Sequence, residues 1–372
     1  MKKIRLLTIS PTCEIGGSDI NLLRLLKNLD RNEYDILHLI PYSGPLLDEF
    51  RNAGVRVKIL DMPRIRLFKN PLRYIIVLLK FFPTVFKIKK IIEDYEIDIV
   101  CTSSMVNLYG ALAARFAHRP HILMVGEYLF ILRLVSPYFY HLSEKIICCN
   151  SMTSQMFKKS DKVLVRYFSV DLDEFRPNID TKTVREKLGI RGKLVCMVTR
   201  LATWKGIEVF IRAANYIKDD VKFIIFGEAV KDRERYVVKL KKMIELLGLK
   251  DKVLIITGEY KNIPQFIAAS DIVVHASLRP EPFGLVIIEA MAMKKPVIAS
   301  RLGGPQEIIT EGVDGILLDP GNPKALAMAI SRLLQEPEFA KDMAAKAREK
   351  VRQKFDIKKY AKDFDAILKS MF

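Results

Sequence analysis

Residues Lys193–Phe226, KLVCMVTRLATWKGIEVFIRAANYIKDDVKFIIF, contain one complete β–α–β unit. The apolar run over Lys193–Thr199 predicts a strand, the periodic pattern over Gly206–Tyr216 predicts a helix, and Val221–Phe226 predicts a second strand. Strands that alternate with helices are typical of α/β proteins, whose strands form parallel sheets. This unit therefore predicts a doubly wound fold for the region around it.

The same alternation extends in both directions along the chain. The strands predicted in the first half are Ile4–Ser10, Tyr34–Pro41, Val55–Leu60, Asp98–Thr102, His121–Gly126, Lys145–Cys149 and Lys162–Phe168. The later ones are Val253–Ile256, Ile272–His275 and Val297–Ser300. The segment SVDLDEFRPN at 169–178 interrupts the pattern and predicts a boundary between two domains, 1–168 and 169–353. Doubly wound sheets bind ligands at the carboxyl ends of their strands, so we expect the site there.

Length and composition agree with two domains. A chain of 372 residues is too long for one ordinary domain, and half of its residues are hydrophobic, enough for two cores. The longest apolar concentration, Pro71–Phe86, is interrupted by Arg73, Lys80 and Pro83, so no membrane span is predicted. The start MKKIRLLTIS lacks the apolar run of an export signal. The five cysteines have no metal-site spacing, and we expect them to be reduced.

The net charge of +18 indicates an anionic partner. Nucleotide phosphates, acidic lipid headgroups and nucleic acid all satisfy that requirement. The loop Thr199–Gly206, TRLATWKG, narrows the choice because it joins a predicted strand to a predicted helix. Arg200 and Lys205 are thus expected at the carboxyl edge of the sheet, where two cations suit a diphosphate that departs as a leaving group. Fixed cations of this kind need no metal ion.

A second segment, Arg279–Glu307, reads RPEPFGLVIIEAMAMKKPVIASRLGGPQE. Glu281 lies in a loop beside prolines, and Gly284 leads directly into a helical run. Glycine allows a ligand to approach the backbone closely, and the first amides of a helix attract phosphate. Glu289 lies about one and a half turns into that helix. The two carboxylates are therefore expected on either side of a bound nucleotide sugar.

At these residues the chain resembles the retaining GT-B glycosyltransferases of family 4, also called glycosyl transferases group 1. The resemblance covers nearly all of the second half and, more loosely, the first half. The segments that carry it are EPFGLVIIE (281–289), TRLATWKG (199–206), GE (227–228), SDIVVHAS (270–277), PVIASRLGGPQEII (296–309), GVDGILLDPGNPKALAMAI (312–330), EIGGSDINLLRLL (14–26) and DIVCTSS (98–104).

The resemblance implies a role for each matching position. Arg200 and Lys205 would bind the donor diphosphate, Glu289 the nucleotide ribose, and Glu281 the transferred sugar. The backbone of Phe283, Gly284 and Leu285 would lie alongside that sugar. The remaining donor-binding positions would be Gly16, Gly17 and Gly227. The catalytic set implied is Glu281, Arg200 and Lys205, together with Glu127.

Two departures from the family pattern concern catalysis and the domain boundary. Family members often carry a histidine near the end of the strand that here reads HILMVGEYL, whereas this chain has Gly126 and Glu127. We expect Glu127 to take over that role. The NGVD pattern usual near the boundary appears here as FSVD, so Val170 and Asp171 alone are retained.

The implied architecture is GT-B, in which two Rossmann-like domains face each other across a cleft. The first, 1–168, would bind the acceptor, and the second, 169–353, the nucleotide sugar. A C-terminal helix, 354–372, would pack back on the first domain. The donor would be linked to UDP or GDP, with no other cofactor and no metal. Two DxD patterns, Asp171/Asp173 and Asp363/Asp365, are interpreted as solvated faces rather than metal sites.

The segment Met62–Ile92 has eight basic residues, no acidic residue and several aromatic ones. One interpretation is two core helices with solvated basic faces. The other is a surface that docks on an anionic bilayer, at about 1 kcal/mol per basic residue. The second favours a cytoplasmic protein on the inner membrane face, with a glycan or glycolipid acceptor used in surface polysaccharide, lipopolysaccharide or glycolipid synthesis.

Two other functions fit parts of the sequence. A glycosyltransferase with a soluble acceptor, such as a storage glucan or a small molecule, would keep the same fold, although the basic apolar segment argues against it. A nucleic-acid-binding protein is suggested by the charge alone, and none of the sequence motifs of such proteins is present. We therefore expect no nucleic-acid partner.

Overall fold

The computed structural model describes residues 3–63, 72–128, 130–227, 234–258 and 260–372. These residues divide into two compact units. The first unit contains the chain up to Ser169 together with Ile357–Phe372, and the second contains Val170–Asp356. Each unit is built around its own parallel sheet.

The first unit has a seven-stranded sheet within the described residues. Its strands are β1 (Ile4–Ile9), β2 (Tyr34–Ile40), β3 (Arg56–Ile59), β4 (Ile99–Ser103), β5 (His121–Val125), β6 (Lys145–Cys148) and β7 (Val163–Val165). They lie in the order β3-β2-β1-β4-β5-β6-β7, and all neighbours are parallel. The order reverses between β1 and β4, the point at which such sheets bind ligands.

The second unit has a six-stranded sheet in the part of the chain that the structure describes. Its strands are β8 (Lys193–Val198), β9 (Val221–Gly227), β10 (Val253–Thr257), β11 (Ile272–His275), β12 (Val297–Ser300) and β13 (Ile316–Leu318). They are parallel and lie in the order β10-β9-β8-β11-β12-β13. β8 and β11 are the pair at which the order reverses. Their near-continuous apolar sequences are buried, as expected of strands covered on both faces.

Helices connect the strands and cover both sheets. Those of the first unit are α1 (Gly17–Lys27), α2 (Leu47–Asn52), α3 (Leu72–Asp94), α4 (Leu108–Phe116), α5 (Ser136–Leu142) and α6 (Ser151–Ser154). Those of the second are α7 (Lys182–Lys187), α8 (Ile207–Tyr216), α9 (Glu234–Leu246), α10 (Ile263–Ala269), α11 (Leu285–Ala292), α12 (Pro305–Ile308), α13 (Pro323–Gln335) and α14 (Pro337–Lys354). The last helix, α15 (Ile357–Lys369), belongs to the first unit.

The predicted α/β class with two parallel-sheet domains is confirmed, and most strand bounds agree within one or two residues. β11 and β12 coincide with the predicted Ile272–His275 and Val297–Ser300. The strand predicted at Lys162–Phe168 is shorter, since β7 has only three residues. β13 was not predicted as a strand because Gly315 and Asp319 limit its apolar run to Ile316–Leu318, whereas the run that predicted β7 is longer.

The interpretation of Met62–Ile92 as two core helices is wrong for the part that the structure describes. A single helix, α3, covers Leu72–Asp94 and has Pro83 in its interior. Residues 64–71 of that segment, with Arg64, Arg66 and Lys69, lie outside the described residues. Within the described part, no helix has the length and apolar character needed to cross a membrane.

Side chains of α15 attach it to the first unit at several points. The Tyr34 hydroxyl donates a hydrogen bond to Asp365 at 2.6 Å, and Arg166 lies 3.2 Å from the Asp363 carboxylate. Phe364 and Leu368 on the apolar face are fully buried. The chain therefore leaves the first unit after Ser169 and returns to it at Ile357.

Candidate functional site

The two central strands of the second sheet bring the loops that follow them together. β8 pairs with β11, so the loop after Val198 and the loop after His275 leave the sheet side by side. A short 3₁₀ turn, Thr203–Lys205, lies in the first loop. Gly206 follows it with φ +74°, and a Cβ there would lie 1.9 Å from the Ala276 carbonyl oxygen. Only glycine allows this close approach of the two loops.

Lys205 and Glu281, 76 residues apart in sequence, form an ion pair at this edge. The Lys205 ammonium donates to both carboxylate oxygens of Glu281, at 2.7 Å to Oε1 and 2.5 Å to Oε2. Their side chains are only 10% and 14% exposed. On its other side, the ammonium lies 4.2 Å from the centre of the Trp204 ring, so this tryptophan packs beside Lys205.

For each member of the pair, burial and the charge of the partner shift the pKa in opposite directions. Burial by itself raises the pKa of Glu281, but Lys205 and His275 outweigh it and hold this pKa well below its usual range. Burial lowers the pKa of Lys205, and Arg200 acts in the same direction against the opposing effect of Glu281. The Glu281 carboxylate is therefore ionised at neutral pH, beside a cation whose solvation the protein has largely removed.

The loop that carries Glu281 is fixed by the glycine pair Gly303-Gly304. The Gly304 amide donates a hydrogen bond to the Glu281 carbonyl at 2.8 Å, and Gly303 forms an isolated parallel β-bridge with Glu281. A Cβ on Gly303 would lie 2.5 Å from the Glu281 carbonyl oxygen, and one on Gly304 would lie 2.5 Å from the Phe283 Cα. Both glycines are thus required by the backbone that supports Glu281.

α11 begins at the same edge. Its N-cap, Gly284, has φ +100° and ψ +62°, which favour glycine. Phe283 is 2% exposed and packs against Phe355, with ring centres 5.9 Å apart, so its side chain belongs to the core of the second unit. Leu285 is partly exposed, whereas Glu289 is 3% exposed within the helix.

Two further predicted donor-binding residues lie at neighbouring strand ends. Arg200 follows β8 and is exposed, and its charge acts on Lys205. Gly227 is the last residue of β9, and a Cβ there would lie 1.8 Å from the Thr199 carbonyl oxygen. Packing against the Thr199 carbonyl therefore requires glycine at position 227, whether or not a ligand binds there. Glu228, which follows it, lies outside the described residues.

Gly126 and Glu127 lie at the corresponding edge of the first unit, after β5. A Cβ on Gly126 would lie 2.1 Å from the Ser18 Oγ and 2.7 Å from the Phe168 ring, so a histidine side chain has no room there. Glu127 Oε1 accepts hydrogen bonds from the Ser104 hydroxyl at 2.5 Å and the Met105 amide at 2.7 Å. Burial raises the pKa of Glu127, although these hydrogen bonds oppose the rise.

The glycine turn of the first unit is more open. Gly16 is the N-cap of α1 with φ −134°, and its nearest neighbour would be Asp19 Oδ2 at 3.6 Å from a Cβ. Gly17 is exposed at the first position of the helix. The packing around Gly16 therefore does not require glycine.

Sequence reasoning missed two residues of the ion-pair cluster, His275 and Ser277. Ser277 Oγ donates to Glu281 Oε2 at 2.9 Å, and His275 Nε2 lies 3.4 Å from the same oxygen. Both residues occur in the quoted segment SDIVVHAS. Their i, i+2 spacing on an extended chain puts them on one face, which was the available signal.

The two DxD patterns have local partners. Asp171 Oδ1 accepts hydrogen bonds from the amides of Asp173 and Glu174, and Asp363 and Asp365 hold α15 as described above. Asp363 is exposed, as expected of a solvated face, whereas Asp365 is only partly exposed. In the described part of the chain, no group of three or more His, Cys, Asp or Glu side chains could hold a metal ion. No disulfide links the cysteines, which are all buried.

Comparison with known sequences places a glycosyl transferases group 1 domain at residues 180–350. The chain is 28% identical over 355 residues to an uncharacterized glycosyltransferase of Methanocaldococcus jannaschii, which covers 90% of this chain and 89% of that one. It is 34% identical over 185 residues to the alpha-D-kanosaminyltransferase of Streptomyces kanamyceticus, or 47% of this chain and 46% of the relative.

Comparison with solved structures gives the architecture. HepE of Anabaena, crystallised in complex with UDP and glucose, has a TM-score of 0.87 at 25% identity and covers 99% of this chain and 100% of its own. Sucrose-phosphate synthase of Thermosynechococcus elongatus has a TM-score of 0.82 at 19% identity, covering 100% and 99%, a likeness of fold alone. The fold is therefore that of the GT-B glycosyltransferases, two Rossmann-like α/β domains with parallel sheets.

Proposed function

We propose that this chain, which carries a glycosyl transferases group 1 domain, is a retaining glycosyltransferase of family 4. It moves a sugar from a nucleotide diphosphate donor to an acceptor. The donor lies at the carboxyl edge of the second sheet, and Glu127 of the first unit acts on the acceptor side. UDP in complex with the similar HepE supports a UDP-linked donor, with GDP as the other choice.

The buried pair Lys205–Glu281 is the observation that carries this proposal. Burial of two charges costs free energy even when they are paired, so an ion pair kept 10% and 14% exposed at the carboxyl edge of a parallel sheet indicates a functional site. Arg200, exposed in the same loop, supplies the second positive charge. Together with the start of α11, these groups suit a diphosphate.

The proposed role of the two cations depends on which atoms become negatively charged during the reaction. When the bond between the sugar and the diphosphate breaks, negative charge grows on the leaving phosphate. Lys205 and Arg200 stabilise that charge without a metal ion, because their positions are fixed before the reaction begins. In the front-face description of retention, the leaving phosphate helps to remove the acceptor proton. Glu281 holds the transferred sugar and Glu289 the ribose.

A thermal-shift screen of UDP-, GDP- and ADP-sugars, each with and without Mg²⁺, tests the donor assignment. A bound ligand raises the unfolding temperature by mass action, so the true donor should raise it and Mg²⁺ should add little. Lys205→Ala should reduce the shift, because it weakens the affinity for the diphosphate. No shift with any nucleotide sugar, or one that requires Mg²⁺, would contradict the proposal in its present form.

We further propose that α3 docks the protein on the anionic, cytoplasmic face of a membrane, where the acceptor is found. Ile75, Leu79, Phe82 and Phe86 are 53%, 71%, 56% and 56% exposed. Their spacings of three and four residues place them along one side of the helix. Exposed Lys80, Lys87 and Lys90 accompany them. An apolar side flanked by lysines is typical of helices that lie in the membrane interface.

Flotation with phosphatidylglycerol vesicles tests this surface. The protein should float at low salt, and Leu79→Glu/Phe82→Glu should remain at the bottom, because two buried apolar side chains contribute about 1.5–3 kcal/mol each. Leu246→Glu on α9, where the side chain is 76% exposed, is the matched control and should float. Absence of flotation in the wild type would favour a soluble acceptor instead.

A further inference from the structure

Three polar side chains meet around Glu281 in the second unit. Lys205 comes from the turn before α8, His275 is the last residue of β11, and Ser277 follows two residues later. His275 is 6% exposed and Ser277 is 1% exposed. The Ser277 Oγ lies 3.3 Å from His275 Nε2, so these two side chains also contact each other.

The two oxygens of the Glu281 carboxylate are used unequally. Oε2 accepts hydrogen bonds from Lys205 at 2.5 Å and Ser277 at 2.9 Å, and His275 Nε2 approaches it at 3.4 Å. Oε1 receives only Lys205, at 2.7 Å, among the residues that the structure describes. A carboxylate offers about four acceptor positions, two on each oxygen. Oε2 is therefore saturated, and Oε1 has room for one more donor.

The surroundings of His275 select one form of its ring. Nε2 faces the Glu281 carboxylate, whereas Nδ1 is buried and has no hydrogen-bond partner in the described part of the chain. A proton on Nδ1 would leave a buried donor unsatisfied and would turn the Nε2 lone pair toward a negative oxygen. The tautomer with its proton on Nε2 avoids both costs and donates to Glu281.

We propose that His275 and Ser277 are positioning residues for Glu281. They hold Oε2 in place, so that Oε1 is the oxygen that accepts a hydroxyl of the transferred sugar. This role rests on the proposed function, in which Glu281 contacts that sugar. Neither residue needs to touch the substrate, because small displacements of a catalytic group are enough to slow a reaction strongly.

The glutamine, asparagine and leucine variants of His275 test the role of its Nε2 donor. Glutamine places its amide nitrogen near the position of Nε2, asparagine places it near Nδ1, and leucine fills the space without a donor. We expect His275→Gln to keep near-wild-type kcat, and His275→Asn and His275→Leu to lose about 10- to 100-fold. Ser277→Thr should retain kcat and Ser277→Ala should lower it.

Binding of the nucleoside diphosphate separates positioning from general damage. All five variants should bind the diphosphate of the preferred UDP-, GDP- or ADP-sugar with a Kd within about twofold of wild type, because Lys205 and Arg200 remain. The unfolding temperature of each variant is measured alongside. A fully active His275→Leu, or a folded His275→Gln that loses as much kcat as His275→Leu, would overturn the proposal.

A readout without turnover distinguishes this inference from the proposed function. In a ¹⁵N NMR spectrum of the histidine rings, with His275→Gln identifying the signal, Nε2 of His275 should carry a proton. An unprotonated Nε2 would refute the positioning role even in an active enzyme. If the tautomer is as expected but no nucleotide sugar binds, the proposed function fails, and the positioning role of His275 fails with it.

Discussion

The role of Lys205 in ligand binding can be measured by comparing the affinities for the nucleoside diphosphate and for the nucleoside alone. Lys205→Ala should weaken binding of the nucleoside diphosphate about 10- to 100-fold, since a hydrogen bond to a charged group contributes about 1.5–3 kcal/mol, and should change nucleoside binding little. Arg200→Ala should act in the same direction. Calorimetric titration with both ligands measures the difference.

A matched control for this charge loss is Lys193→Ala. Lys193 lies at the opposite end of β8, exposed and paired with Asp271 at 3.0 Å. Its loss removes the same charge from the same β–α unit but should leave the diphosphate affinity unchanged. If Lys193→Ala weakened binding as much as Lys205→Ala, net charge rather than a specific site would explain the affinity.

Substitutions of the two glutamates proposed for the site, Glu281 and Glu289, should have different effects on kcat and on nucleotide binding. Glu281→Gln should lower kcat about 100-fold while nucleoside diphosphate binding persists, because the charge beside the transferred sugar is lost but Lys205 remains. Glu289→Gln should weaken nucleotide binding about 10-fold, the value of one hydrogen bond, with a smaller effect on kcat at saturating donor. Steady-state kinetics with titrations of the nucleotide check both. Normal turnover in Glu281→Gln would remove Glu281 from the site.

Glu127 allows a prediction about pH. Burial raises the pKa of this carboxyl group above its unfolded value of about 4.3, so the folded state holds its proton more tightly. Its contribution to stability is therefore fully present below pH about 4.3 and is lost as pH rises through the folded pKa. Glu127→Gln, which can still accept the bonds from Ser104 and Met105, should raise the unfolding temperature at pH 7 and not at pH 4.

The same variant tests the catalytic assignment of Glu127. If this carboxylate acts on the acceptor, Glu127→Gln should lose turnover while its stability at neutral pH increases. A gain of stability with unchanged kcat would leave Glu127 with a structural role only, in its hydrogen bonds to the loop after β4.

Among the connecting elements, the turn between Lys205 and α8 should tolerate no side chain. Gly206→Ala should cost about 1–2 kcal/mol for the left-handed backbone and a further ~1–3 kcal/mol for the overlap with the Ala276 carbonyl. Gly248→Ala is the matched control, because its φ is +67° and nothing lies within 4 Å of a Cβ there. Denaturant unfolding measures both. Equal losses would show that the close approach of the two loops has no energetic role.

Helix α3 illustrates how tertiary structure outweighs a local signal. Proline in a helix interior removes a hydrogen bond and costs about 3 kcal/mol, so Pro83 by itself disfavours a continuous helix. The structure nevertheless continues the helix through it, with Val85, Ile88 and Ile92 fully buried in the core of the first unit. Packing of this apolar side offsets the local cost.

At the scale of the whole molecule, α15 should stabilise the first unit and not the second. Deletion of residues 357–372 removes the bonds of Asp363 and Asp365 and exposes the surface that Phe364 and Leu368 cover. Hydrogen exchange should accelerate in β2 and α1 while β8–β11 remain protected. Tyr34→Phe, which removes only the bond to Asp365, should give a smaller effect in the same places. Faster exchange confined to the second unit would contradict this division.

The sequence by itself determined the class of fold, most strand positions and the loops that lie at the carboxyl edge of the second sheet. Buried parallel strands need continuous apolar runs, and the residues that follow them must be at the carboxyl edge, so Arg200, Lys205 and Glu281 could be named from spacing. Periodicity is a local property, and each of these signals lies within about ten residues. β13, whose apolar run is confined to Ile316–Leu318 between Gly315 and Asp319, gave no such signal.

Only the tertiary structure decided which of these residues meet. The contact between Lys205 and Glu281 depends on β8 lying beside β11, and no pattern within either segment contains that pairing. The same holds for the addition of His275 and Ser277 to Glu281, the absence of room for a side chain at Gly126, and the return of α15 to the first unit. These features arise from contacts between distant parts of the chain, which form only when the sheets assemble.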